Sequence, residues 1–146
     1  MATIILNRTS EYVNRLRDYG VYIDEKKVGT IANGEIKEFN VSAGQHSIVT
    51  KIDWCSSQTV TFDISDDEVK NFKVGGFKNA KWLMPTGLII IVLSYIVNLL
   101  FDTEYLFYLI IPIFLIMVYY MTLGRKRYLT LSEEKTEGQE KMVLLL

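Results

Sequence analysis

Two hydrophobic patterns divide this chain. From Tyr19 to Val74 apolar residues recur at every second position: Val21 and Ile23 alternate with Tyr22 and Asp24, and Val60, Phe62 and Ile64 with Thr59, Thr61 and Asp63. Phe72 and Val74 repeat the theme. Successive side chains of a strand point to opposite faces, so period two predicts strands with one buried face. Strands are expected near 3–8, 19–24, 27–31, 36–41, 45–54, 58–65 and 69–74, separated by polar turns. Asn33-Gly34 is the strongest turn signal, because a two-residue hairpin of type I′ requires positive φ at both positions. Strands this short and this closely spaced predict a small antiparallel sandwich. Residues 9–18 break the rhythm. Ser10 can cap a short helix with Tyr12, Val13 and Leu16 on one face and Gly20 past its end; a loop or bent strand fits nearly as well.

Downstream the alternation stops. Trp82–Phe101 and Tyr105–Gly124 are each 20 residues long and carry no charge. At about 1.5 Å per residue each is as long as a hydrocarbon core of roughly 30 Å is thick. The expectation is a transmembrane helical hairpin over residues 82–124, its spans 82–101 and 105–124 joined by Asp102-Thr103-Glu104. Pro85 falls in a first turn, where a missing N–H costs little; Pro112 predicts a kink near Tyr108. The fold class that follows is α+β overall, an N-terminal all-β antiparallel sandwich followed by the hairpin. Its divisions are a soluble domain over 1–76, a juxtamembrane linker over 77–81, the hairpin, and a cytoplasmic tail over 125–146.

Charge placement adds sidedness. Residues 1–81 hold 11 basic and 11 acidic residues, and the formal net charge of the chain is −1. That balance gives no basic face to track phosphates, so nucleic acid is not an expected partner. Lys70, Lys73, Lys78 and Lys81 precede the first apolar run, and Arg125, Lys126 and Arg127 follow the second. Positive residues stay inside, which predicts an integral protein of a bacterial inner (plasma) membrane with both termini cytoplasmic. Lys78, Lys81, Trp82, Arg125, Lys126, Arg127 and Tyr128 are the expected membrane-interface anchors. The opening "MATIILNRTSEY" has neither a basic segment nor an apolar run of signal-peptide length. The single cysteine, Cys55, fits a reducing compartment. Ser94 and Asn98 are the polar residues of the first run, and neither run holds an ionisable group for a proton or ion path. Asn98 is read as a polar residue near the interface before it is read as a contact to a second protomer, and homo-oligomerisation stays open.

Within the β-rich part, "VYIDEKKVGTI…FNVSAGQHSIV" resembles PEGA-type domains, small β-sandwich modules. Ile23-Asp24 and Val28-Gly29 match one element of that pattern; Val41, Ala43-Gly44, His46 and Ile48 match the other. Glu25 stands where the family usually carries Gly. The resemblance covers roughly residues 19–74 and implies an interaction or spacer module, with no catalytic residues to carry over.

Candidate chemistry is sparse. Cys55 and His46 are the only residues of their kinds, but nine positions along one predicted strand is roughly 30 Å, and an odd spacing sets them on opposite faces. A catalytic dyad is therefore not expected, nor a metal site on one histidine, nor any cofactor. Asp53, Asp63, Asp66, Asp67 and Glu68 lack the alternating ligands of a calcium loop. Arg8, Arg15 and Arg17 are the candidate binding residues, since guanidinium forks suit carboxylates, phosphates and lipid headgroups; ion pairs with Glu11 and Asp18 are the plainer reading. The tail "LTLSEEKTEGQEKMVLLL" has a polar middle expected to be disordered or loosely helical, and an apolar end, Met142–Leu146, that can dock on the membrane, in a partner's carboxylate-capturing groove or, most simply, on the protein's own surface. The expected function is a membrane-anchored, non-catalytic interaction or scaffolding module at the cytoplasmic face. Its partners are the lipid bilayer and an unknown protein. The alternative is a sugar- or small-molecule-binding module displayed on the outer face.

Overall fold

A computed structural model describes residues 1–77, 80–102, 105, 108 and 110–135; at 80, 81, 83, 84 and 121 it describes the backbone alone. Among these residues nine strands form two sheets. They are β1 (Ala2–Arg8), β2 (Tyr19–Ile23), β3 (Lys26–Ile31), β4 (Ile36–Val41), β5 (Gly44–Ile52), β6 (Cys55–Ser56), β7 (Val60–Ile64), β8 (Val69–Gly75) and β9 (Thr130–Glu134). One sheet runs β4-β1-β8-β9; the other runs β3-β2-β5, with β6 and β7 both paired to β5. The alternation read from the sequence appears directly in burial. In β1 every odd member of the strand is buried, from Ala2 through Ile4 and Leu6 to Arg8. Phe62 of β7 and Phe72 of β8 meet between the sheets with ring centroids 4.9 Å apart and tilted by 56°, a favourable aromatic geometry.

Two pairings differ from the expected antiparallel sandwich. β1 and β8 are parallel, with Ile4 opposite Lys70 and Leu6 opposite Phe72. Asn33-Gly34 joins no hairpin: β3 pairs with β2, and β4 crosses to the other sheet to pair with β1. Gly34 has φ +72°, but Asn33 is not among the residues with positive φ, so the type I′ requirement is unmet. The two-residue hairpin lies instead at Asp24-Glu25, with φ of +49° and +67° and Ile23 opposite Lys26.

The helices are α1 (Ala80–Phe101) and α2 (Ile110–Thr122), followed by a 3₁₀ turn at Arg125–Arg127. α1 ends where Asp102 turns left-handed and its N–H bonds the Asn98 carbonyl at 2.9 Å. α2 begins at Ile110, so Pro112 sits in its first turn rather than in a helix interior it would kink. After the 3₁₀ turn the chain rejoins the sandwich. β9 pairs antiparallel with β8, Gly75 opposite Thr130, and Leu129 and Leu131 are core residues. The helical segment is thus an insertion between two neighbouring strands of one sheet. The tail's first residues are strand, where loose helix or disorder was expected; Met142–Leu146 lies outside the described residues.

The expected transmembrane hairpin is corrected. Among the described residues no helix is long and apolar enough to cross a membrane. α2 is 13 residues, about 20 Å against a hydrocarbon core of roughly 30 Å. The fold is therefore two β-sheets with two short helices, not a sandwich followed by a membrane hairpin. The transmembrane assignment falls with the hairpin, and so does the integral inner-membrane location with both termini cytoplasmic that rested on it.

Candidate functional site

The three candidate arginines are not brought together. Alternation along β1 turns Arg8 inward, and the side chain is 1% exposed. Its Nη1 donates to the carbonyls of Arg17 at 2.7 Å and Ile31 at 3.0 Å, and its Nη2 to that of Asn14 at 2.7 Å. The guanidinium lies 3.6 Å from the centroid of the Tyr19 ring. Arg8 therefore holds residues 14–17 against the end of β3 from inside the fold. The Tyr19 hydroxyl donates to Glu11 at 3.0 Å and accepts from Asn14 at 3.1 Å. Burial first, then the neighbouring Glu11 charge, pushes its pKa up to about 12.

That network shapes residues 9–18 into a loop rather than a helix. The Glu11 carboxylate closes it by accepting from the Gly76 N–H and from Thr9. A side chain at Gly76 would collide with this carboxylate. Gly75-Gly76 is thereby bonded into the sandwich rather than left as a free joint. Arg15 stays exposed with Tyr12 and Leu16, which are 92% and 94% exposed, along an open groove edged by Asn33. Arg17 turns the other way and pairs with Asp53.

The Arg17–Asp53 pair stands at the rim of a cleft of about 650 Å³ between the sandwich end and the helices. Volumes of roughly 300–1,000 Å³ are typical of small-molecule sites. Its sandwich wall is the loop residues Val13 and Asn14, Ile52, and the β5–β6 turn with Trp54 and Cys55. Its helix wall comprises Gly87, Leu88 and Ile91 of α1 and Ile113, Met117 and Tyr120 of α2. Phe77 and Tyr128 close one side, Phe77 lying 4.3 Å from the Tyr120 ring and 6.3 Å from that of Tyr128. The helices approach closely at Gly87, where a Cβ would stand 4.0 Å from Ile113. The cleft is apolar toward the helices and polar at the rim. Cys55 is 7% exposed, and burial raises its thiol pKa above the ordinary value, reinforced by the Asp53 charge and opposed by Arg125. A thiol so protonated is a weak nucleophile.

Of the expected interface residues, Trp82 is exposed and Arg125, Lys126 and Arg127 form the solvent-facing 3₁₀ turn, which packs on β6. Tyr128 is half-buried at the cleft, its hydroxyl pKa raised by burial. Lys78 lies outside the described residues, as does the Lys81 side chain. Sequence reasoning missed Asn14, Gly87 and the helix residues of the cleft, which approach only through tertiary packing. Trp54 falls at the end of the expected strand 45–54; it lies instead in the turn after β5, 61% exposed.

A second polar cluster sits at the far hairpin. His46 Nδ1 lies 2.6 Å from Asp24 Oδ2, and Nε2 lies 2.9 Å from the Ser42 carbonyl oxygen. Both partners are acceptors, so the doubly protonated imidazolium satisfies both bonds. The Asp24 bond, then the Ser42 carbonyl, raises the His46 pKa; the His46 bond, then the Ser47 N–H at 2.9 Å, lowers that of Asp24. His46 and Cys55 do not meet: His46 pairs across from Phe62, and Cys55 across from Ile52, six residues further along β5. Among the described residues no three His, Cys, Asp or Glu side chains are grouped to hold a metal ion. No protein-family model, curated protein or solved structure matches the chain.

Proposed function

We propose that this chain is a non-catalytic interaction module whose β-sandwich is held at a lipid bilayer by the apolar surfaces of α1 and α2. One observation carries the reading. Most strand apolar residues are buried in the core, with Val28, Ile36 and Val69 as exposed exceptions, whereas apolar residues are exposed along both helices: Leu88 is 65% exposed, Leu99 75% and Phe114 58%. Soluble monomers rarely leave contiguous apolar patches beyond a few hundred Å², and acyl chains are a medium in which this surface costs nothing. The reading requires contact with a bilayer, not a crossing of it. The sandwich itself is proposed to be PEGA-like, since Asp24 and His46, from the two matched elements, bond each other between the β2–β3 hairpin and β5.

Flotation of the full chain with phosphatidylcholine vesicles on a density gradient tests this. Co-flotation is expected, and Leu88→Asp with Phe114→Asp should shift the chain toward the unfloated fraction. A chain that stays at the bottom without vesicles bound, and elutes as a complex with another copy through the same helix faces, would sink the proposal.

A further inference from the structure

We infer that the cleft between the sandwich and the helices is a binding site for an anionic phospholipid, with the phosphate at the Arg17–Arg125 rim and an acyl chain along the helix wall. The inference deepens the bilayer reading and rests on it. Two independent features select this ligand over other amphiphiles.

The first is the distribution of polarity. The floor between Gly87, Ile91 and Met117 is apolar and runs out onto helix faces that are themselves exposed, so an alkyl chain can enter without displacing a polar group. Removing such surface from water is worth about 25 cal/mol per Å². The rim is where polar groups converge: Asn14, Arg17, Asp53 and Tyr128. A ligand that fits both ends has one long apolar part and one polar head.

The second is charge. Arg17 shares its charge with Asp53. The exposed turn of Arg125, Lys126 and Arg127 packs on β6, the strand that carries Cys55. None of these three has an ion-pair partner among the described residues. Of the other acids of this end, Glu11 is turned inward onto Gly76, Thr9 and Tyr19, and Asp18 is exposed beside Arg17 in the loop. The rim therefore presents an excess of positive charge, with guanidinium forks that suit phosphate oxygens bidentately.

Cys55 is the sole thiol of the chain and lines the cleft, so an occupant can be read by its protection. The full chain in dodecyl maltoside micelles is alkylated with N-ethylmaleimide at fixed pH, with phosphatidylglycerol, phosphatidylcholine or inorganic phosphate added. At a lipid level about ten times its Kd, occupancy should slow alkylation roughly tenfold. Phosphatidylglycerol should do this and phosphatidylcholine should not. Arg17→Gln with Arg125→Gln should abolish the protection, and Ile91→Trp, which fills the floor, should make the rate insensitive to lipid. Near-ultraviolet circular dichroism verifies that each variant is folded. Equal protection by both lipids, protection by phosphate alone, or no protection overturns the assignment. A chain that floats with phosphatidylcholine vesicles yet shows no protection keeps the bilayer reading and loses the site. One that is protected but never floats keeps the site and loses the bilayer.

Discussion

The sandwich and the helix pair are built from similar residues and end in opposite situations. Ile4, Leu6, Ile48 and Phe72 are shielded from solvent. Ile89, Ile91, Leu99 and Phe114, no more polar, are at least half exposed. Side-chain chemistry does not separate the two sets; periodicity does. A period-two strand offers a polar face to water and an apolar face to its partner sheet, so two sheets close on each other. α1 and α2 carry apolar residues all round, so any packing of one on the other leaves apolar surface outward. The same contrast explains the insertion. β8 and β9 pair across the foot of the helical segment, which lets the sandwich complete its core without any contribution from the helices.

The comparison breaks most forcefully at Arg8, a charged residue on the apolar face of β1. Arg8→Ala takes the guanidinium from three carbonyl groups, of Asn14, Arg17 and Ile31, of which Asn14 keeps the Arg17 N–H at 3.1 Å. At about 1–3 kcal/mol for each buried polar group left unmade, the Arg17 and Ile31 carbonyls together should cost roughly 2–6 kcal/mol. The matched change on the helix side, Ile89→Ala, removes a larger apolar group from an exposed position and should stay within about 0.5 kcal/mol. Urea unfolding in detergent, followed by far-ultraviolet circular dichroism of the strands, measures both. Equal losses would mean that the sandwich depends on the helices for its stability, contrary to the contrast drawn above.

These two positions also show how much was legible beforehand. A strand over 3–8 was legible, but Arg8 was read with Arg15 and Arg17 as a binding residue or an ion-pair partner; its burial on the inner face of β1 was missed, because the carbonyls it serves come from the 9–18 loop and from β3. Asn33-Gly34 was the strongest local turn signal and joined the wrong pair of strands. Local turn chemistry says that the chain reverses, whereas the partner of β4 is decided by the long-range pairing with β1. The apolar runs of the helices were plain, but their bounds and their arrangement were not; Ile110 opens α2 well after the run begins. The cleft was illegible for the same reason as Arg8. Its walls come from residues 13–17, 52–55, 87–91 and 113–120, which no window of sequence contains together.

A smaller test lies at the opposite end of the sandwich, where the Asp24–His46 bond ties the β2–β3 hairpin to β5. His46 has its pKa raised in the folded chain. Its contribution is therefore complete below the unfolded value near 6.5 and is lost as pH rises through the folded value. Asp24 has its pKa lowered. Its contribution is complete above the unfolded value near 3.8 and is lost as pH falls through the folded value. The bond should thus stabilise most between about pH 4 and 6.5. His46→Gln should cost about 1 kcal/mol in that window, discounted for the exposure of Asp24, and progressively less above it. Thermal unfolding of the two proteins at pH 5, 7 and 9 measures the difference. A gap that grows with pH would reverse the assignment of the protonated ring.

The smallest expected effect is a gain, at the residue beside that bond. The hairpin needs positive φ at both Asp24 and Glu25, and neither is glycine. An L-residue in the left-handed region carries a cost of roughly 1–2 kcal/mol, less for Asp, whose short polar side chain bonds locally, than for Glu. Asp24 is compensated by its bonds to His46 and Ser47. No bond or ion pair is recorded for Glu25 among the described residues. Glu25→Gly should therefore stabilise the sandwich by about 0.5–1 kcal/mol, the relief of strain being partly offset by the greater freedom of glycine in the unfolded chain. Asp24→Gly meets the same backbone demand but removes the bond, so it should destabilise. If both glycine variants gained stability alike, backbone strain alone would govern the hairpin and the bond would contribute nothing. The predicted opposite signs at adjacent residues separate a position chosen for its conformation from one chosen for its side chain.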